Sequence, residues 1–406
     1  MRPPVKRVLV ALLGLALPAV ACGGRVPPRP PLFPLSPAWE AKLDDFVVPP
    51  LAAGARRLFV VTRSGTLYAF DQETGAVLWR FEGRPGQVTA APGRLLLREA
   101  DGTVSSLRVR NGDVRWTTRT TATGDLPATL DGDRLYVSGR GLAALELDSG
   151  RVLWTQASPA DVTAPPVATA ARLLVGEEDG TFRCLDRATG ISLWTYSTDG
   201  ALRAPPLVDE DRRRIYLGTT DRRVLELKLD KGEPGWRWKV GADIAHPGLL
   251  LPNRVFFASF DAVLYGLQRG GNLAWRSALP SRPLSGPQLL DEHILIGCHE
   301  KEILGFDLET GRSEGSLRTV AEIRTAPLLS GRRIFVGLRN RTVVAYRVPE
   351  ASPPGGREGE PVKGGRRGRD EKDSGGPDEG PNPPPPSPDA DGLLAPIGRP
   401  SGGEGP

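Results

Sequence analysis

Between Arg57 and Val348 the chain alternates short apolar runs with polar turns on one recurring cycle. The copy RLFVVTRSGTLYAFDQETGAVLW, from Arg57, reads as a strand, a turn, a second strand, a Gly-containing turn and a third strand carrying Trp. Related copies start at Arg94, Arg134, Arg172, Arg214 and Arg254, with two looser ones at His293 and Arg333; the intervals are 37, 40, 38, 42, 40, 39 and 40 residues. Short runs rich in Val, Leu, Ile and Phe, bounded by Gly, Asp and Asn, are strand signals. A period near 40 residues built from such strands predicts a β-propeller with one four-stranded blade per repeat.

Two further columns keep the same period. Pro50, Pro92, Pro127, Pro166, Pro206, Pro247, Pro287 and Pro327 are each expected where a strand begins, a position that does not need the missing N–H. Trp79, Trp116, Trp154, Trp194, Trp236 and Trp275 each follow a Gly by four residues; Gly supplies the positive φ of a tight turn and Trp caps the outermost strand. The last copy stops at Val348 without a fourth strand, whereas Trp39 lies 40 residues before Trp79. The N-terminal segment is therefore expected to complete the final blade, closing an all-β, eight-bladed ring over residues 38–348 and removing two exposed edges.

The flanks differ in character. Arg2, Lys6 and Arg7 precede the apolar stretch VLVALLGLAL, which is too short to span a bilayer and reads as an export signal over residues 1–21. Ala19-Val20-Ala21-Cys22 resembles the bacterial lipobox, which implies a lipidated Cys22 at the mature N-terminus. Gly23 and Gly24 place no Asp beside it, and by resemblance to the enterobacterial sorting rule this implies the outer membrane, periplasmic side. Residues 22–37 hold the lipidated Cys and a Pro-rich extended spacer. Residues 349–406 are expected to be a disordered tail, since positions 351–406 contain 13 Pro and 14 Gly.

Composition narrows the chemistry. Three His and one Met among 406 residues leave few general bases and effectively exclude a histidine-rich metal site. A net charge of +5, with no basic run interleaved with aromatics, gives no reason to expect nucleic acid. Cys184 and Cys298 fall in different repeats and read as small buried hydrophobes rather than a disulfide. No catalytic, cofactor or metal residue is assigned, and no cofactor is expected.

The repeat G-x-L-x-A-x-D-x-x-T-G-x-x-x-W stands in full as Gly65, Leu67, Ala69, Asp71, Thr74, Gly75 and Trp79. It resembles that of pyrroloquinoline-quinone-type propellers, in which the Trp docks on the neighbouring blade. That implies docking roles for Trp39, Trp79, Trp116, Trp154, Trp194, Trp236 and Trp275, and a weaker contact after the seventh copy, where Gly315 takes the Trp position. The enzymatic branch of that group implies a vicinal Cys pair and long insertions, and neither is present. Lipid anchoring, eight repeats and little else resemble the BamB lipoprotein family. That resemblance implies a non-enzymatic scaffold, a monomer within a larger complex, bound to a BamA-like barrel insertase of the outer membrane. A periplasmic propeller binding a polysaccharide or another envelope protein, and a quinone-dependent dehydrogenase, are the alternatives. The candidate partner contact is a bipolar pair of loop tips: Glu177, Glu178 and Asp179 in the fourth repeat, Asp221, Arg222 and Arg223 in the fifth.

Overall fold

The computed structural model describes residues 32–349. Among these residues there is no helix; the strands form eight four-stranded antiparallel sheets. Blade 1 consists of Val47–Gly54, Arg57–Thr62, Thr66–Asp71 and Val77–Glu82, counted from the ring axis outward. Blades 2 to 7 repeat this order along the chain. Blade 8 has Leu328–Ser330, Arg333–Leu338 and Thr342–Arg347 as its first three strands, and Ser36–Lys42 as its fourth. Trp39 stands opposite Ala345 in that closing pair.

Burial explains the sequence pattern strand by strand. Middle strands are covered on both faces by the adjoining blades, so Leu58, Phe59, Val60 and Val61 are all fully buried and the run is continuously apolar. Outer strands alternate exposed and half-buried positions. The core is divided into eight apolar clusters, one at each blade–blade interface. One face of the ring carries the turns between second and third strands together with the crossovers from blade to blade. The opposite face carries the first-to-second and third-to-fourth turns.

Two sequence expectations need adjusting. Pro127, Pro166, Pro206, Pro247, Pro287 and Pro327 do precede inner strands. Pro92, however, lies in the turn after Gly86–Ala91, and Pro50 lies inside Val47–Gly54, where the ladder breaks between Val48 and Ala52. The first two inner strands are long enough to absorb or outrun the proline; the others have two or three residues. The spacer is also shorter than expected. Leu32 and Leu35 are buried in the cluster between blades 7 and 8, because apolar side chains interrupt the prolines there.

Candidate partner-binding surface

The outer turn D-x-x-T-G is built by its own side chains. In blade 1 an Asp71 carboxylate oxygen accepts from the N–H groups of Glu73 and Thr74, both at 2.9 Å, and from the Thr74 hydroxyl at 3.0 Å. These bonds hold the Asp71 carboxyl below its usual range, the Thr74 N–H contributing most. Gly75 closes the turn at φ +73°, and any Cβ there would fall 2.6 Å from the ring of Trp39. The same relation carries Trp79 onto Gly112, Trp116 onto Gly150, Trp154 onto Gly190, Trp194 onto Gly232, Trp236 onto Gly271 and Trp275 onto Gly311. Each indole N–H donates to a carbonyl of the next blade, from 2.8 Å (Trp236 to Arg269) to 3.3 Å (Trp275 to Leu308). Trp39 bonds Gln72 across the closure in the same way.

Two inter-blade devices escaped the sequence reading although both are visible in the repeat alignment. The arginine that opens most copies is a second latch: Arg94 donates to Leu147 O at 2.7 Å, Arg134 to Arg187 O at 2.9 Å and Arg254 to Leu308 O at 2.9 Å, each on the next outer turn. Arg172 and Arg333 reach acids there, Asp230 and Glu73. Tyrosine appears at the third position of the second strand in blades 3 and 5, and in each case the following blade offers an arginine. Arg187 meets the Tyr136 hydroxyl at 2.9 Å and Asp131 at 2.6 Å; Arg269 meets Asp209 at 2.6 Å and lies 5.4 Å over the Tyr216 ring.

Blade 7 lacks the Trp, yet its seam is filled. Gly305 and Gly315 face each other across the third and fourth strands, and Phe33 from the incoming N-terminal segment packs over both. The expected weak contact is therefore replaced by an aromatic side chain supplied from elsewhere in the chain.

The expected bipolar patch is not formed as read. Glu177 is fully buried: its carboxylate binds Arg183 at 2.5 Å and accepts from the Ser158 hydroxyl at 2.5 Å. The ladder continues one residue past the apolar run, through a bridge between Val162 and Glu177, and this carries Glu177 inward. Glu178 and Asp179 are exposed. Glu178 pairs with Arg203, which holds its carboxyl low, and Asp179 accepts from the Thr181 N–H at 2.8 Å. Arg223 pairs with Asp221 at 2.8 Å and with Asp199, while Arg222 sits exposed at φ +67°. The two tips thus neutralise their charge through the crossover that joins them, rather than facing each other as opposite poles.

Beside the fourth tip the surface is recessed. The second-to-third turn of blade 3 is a single residue, Arg140, between Gly139 and Gly141, where blade 1 spends three. The shortfall leaves a hollow of about 500 Å³ lined by polar and apolar residues, among them Asp125, Leu126, Arg140, Asp161 and Val162. The Asp161 carbonyl accepts the Glu178 N–H at 2.9 Å, so the hollow adjoins the charged tips of blades 4 and 5.

Among the described residues no group of three or more His, Cys, Asp or Glu is placed to hold a metal ion. Cys184 and Cys298 are free and buried, and burial pushes their thiols up to about 11 and about 12. His246 is bound to Pro283 O at 3.1 Å and burial lowers its pKa. Cys22 lies outside the described residues.

The family model described as outer membrane protein assembly factor BamB matches residues 36–129, 100–313 and 198–358. The BamB of Shewanella oneidensis is 22% identical, with 85% of this chain and 99% of that protein covered. The Legionella pneumophila BamB is 27% identical over 43% of this chain and 48% of its own length. A quinoprotein ethanol dehydrogenase of Pseudomonas aeruginosa is 34% identical, but over 21% of this chain and 14% of the enzyme. Among solved structures, BamB from Moraxella catarrhalis superposes with a TM-score of 0.66 at 18% identity, covering 77% of this chain and 99% of that one. The computationally designed Ika8 protein gives 0.67 at 15% identity, covering 76% and 98%; at such identities the likeness is one of fold. The family match extends over most of the chain, and the chain belongs to the outer membrane protein assembly factor BamB family.

Proposed function

We propose that this protein is a non-enzymatic scaffold of outer-membrane β-barrel assembly, held by lipidated Cys22 on the periplasmic side of the outer membrane. The observation that carries the reading is the family match across residues 36–358, the whole ring rather than a few repeats. The similarity to dehydrogenases is partial, from a fifth to under half of the chain and no more than a third of those enzymes, and reflects the shared repeat. The surface over blades 3 to 5 is the partner contact: Glu178, Asp179, Asp221, Arg222 and Arg223 present it, and Glu177 supports it from beneath. Charged loops on a rigid ring fix orientation and encounter rate more than affinity.

The test is crosslinking with mass spectrometry in intact cells, using the wild type and a Glu178→Lys/Arg222→Glu variant. Crosslinks from this face to a BamA-like barrel protein, lost in the folded variant, are the expected result. An unchanged crosslink pattern overturns the assignment of the face, and absence of any barrel-assembly partner overturns the scaffold. Anchoring is read separately. Cys22→Ser should move the protein from the membrane to the soluble fraction, since acyl chains contribute about 0.8 kcal/mol per buried CH₂.

A further inference from the structure

One corner of the ring holds more cations than its own acids match. At the end of the third strand in blades 1 to 5 and 7, a residue and the one five positions later face each other across the outer turn. In four blades these positions carry opposite charges: Arg108 with Asp113 at 3.4 Å, Glu146 with Arg151 at 3.3 Å, Lys228 with Glu233 at 2.7 Å, and Asp307 with Arg312. Blade 8 has no such turn, because its outer strand arrives from the N-terminus. Its third strand ends on Arg347, and the residue opposite is Ser36. Where blades 2 and 5, whose third strands also end on a cation, place a carboxylate, the closure places a hydroxyl.

Arg347 is consequently exposed, with no acid partner among the described residues. On its other side it stands directly opposite Arg333, and like charges in register across a strand pair are destabilising. Arg333 is tied to Glu73 of blade 1. Arg56, in a left-handed turn at φ 61°, reaches the same place: its carbonyl accepts the Gln72 N–H at 3.0 Å, next to Glu73. Glu73 therefore stands among three arginines, and Asp71 also feels Arg56. Glu73 is bonded to Arg333 and also feels Arg347 and Arg56, all of which hold its carboxyl low.

We propose that this corner of the turn face, where blade 8 meets blade 1, is a docking site for an acidic segment of a partner protein, with Arg347 and Arg56 each receiving a carboxylate. The chemistry follows from the molecule's own repeats: opposite Arg108 and Lys228, the two other cations at this position, stands an aspartate or glutamate side chain. Glu73 shows that a carboxylate is accepted there. The inference depends neither on lipidation nor on the surface over blades 3 to 5, so its failure leaves those readings standing.

The experiment titrates fluorescein-labelled hexaglutamate against the full-length chain by fluorescence anisotropy. Arg56→Gln/Arg347→Gln should weaken binding by about ten-fold, whereas Arg237→Gln/Lys239→Gln/Arg276→Gln, on exposed outer strands of blades 5 and 6, should leave it unchanged. Arg56→Glu/Arg347→Glu should instead bind hexalysine. Unchanged thermal melting establishes that these variants are folded. Equal loss in both neutralised variants reduces the effect to overall charge and overturns the site, as does no binding by the wild type. Displacement of the peptide by inorganic phosphate, itself dependent on Arg56 and Arg347, overturns the carboxylate assignment in favour of phosphate.

Discussion

Cys184 shows how a single position is fixed by its neighbour across the ladder. It faces Trp194 in the same blade, at the place where Ala69, Ala144 and Gly266 face Trp79, Trp154 and Trp275. A small side chain is needed under the indole, and a buried thiol meets that need as well as a methyl group. Burial raises both Cys184 and Cys298 from 9.0 to about 11 and about 12. The unfolded chain therefore releases these protons first as pH rises. Any stability linked to them is fully present below about pH 9 and lost toward pH 11 to 12. Two outcomes follow. At about pH 8, where the thiolate fraction is on the order of one in a thousand or less, both thiols should resist a chromogenic disulfide reagent until denaturant is added. Cys184→Ala/Cys298→Ala should lose less stability than wild type between about pH 8 and pH 10.5 in denaturant titrations. Reaction of either thiol in the folded protein would contradict the burial described. Glu177 teaches the opposite lesson about reading residues singly. As the first acid of a run it looked like a loop tip, yet Arg183, alone in the apolar strand Thr181–Asp186, is the signal that a buried acid is needed nearby.

At the level of the strand and the blade, the repeat reads well wherever the contact recurs and poorly where it occurs once. The Trp, Gly and Arg columns recur, so alignment exposes them; what alignment cannot supply is that each Trp rests on the glycine of the following blade rather than its own. The Gly315 substitution occurs once. In sequence it looks like a deficit, and its meaning lies in Phe33, 282 positions away in the chain. A tryptophan at 315 would occupy the volume that Phe33 already fills over Gly305. Gly315→Trp should therefore destabilise the protein by about 1 to 3 kcal/mol through overpacking, with backbone strain at φ +126° adding to the loss, although it restores the family pattern. Gly315→Trp/Phe33→Ala should recover part of that loss. Thermal melting of the two variants decides: if the single substitution stabilises, the seam is empty rather than filled. The hollow beside blade 4 was equally out of reach, because it arises from a two-residue shortening of one turn and its effect appears only when neighbouring blades are placed around it.

For the whole ring, blade number, chain order and the N-terminal origin of the closing strand were all legible, since periodicity counts the blades and Trp39 completes the column. The partner surface was not, because loops carry no periodic constraint against which an exception can be judged. Closure also ranks the ends of the molecule. Deleting Pro37–Asp44 removes the fourth strand of blade 8, the Trp39 docking and the Asp44 carboxylate that accepts from Ser64 at 2.8 Å and Thr66 at 2.9 Å. Deleting residues 351–406 touches none of these. The first deletion should lower the melting temperature sharply and the second only slightly; equal values would argue against closure through the N-terminal strand.

That closing pair joins the first and the last strands of the ring to be synthesised, with Glu40 lying against Val344. The strand that emerges first must wait for the last repeat, and contacts of such sequence separation form late. The seam thus works as a test of completeness. A chain interrupted before Arg347 leaves Trp39 without its ladder and a raw sheet edge on blade 8, and is marked for proteolysis, whereas a chain that carries the last strand of the ring conceals both.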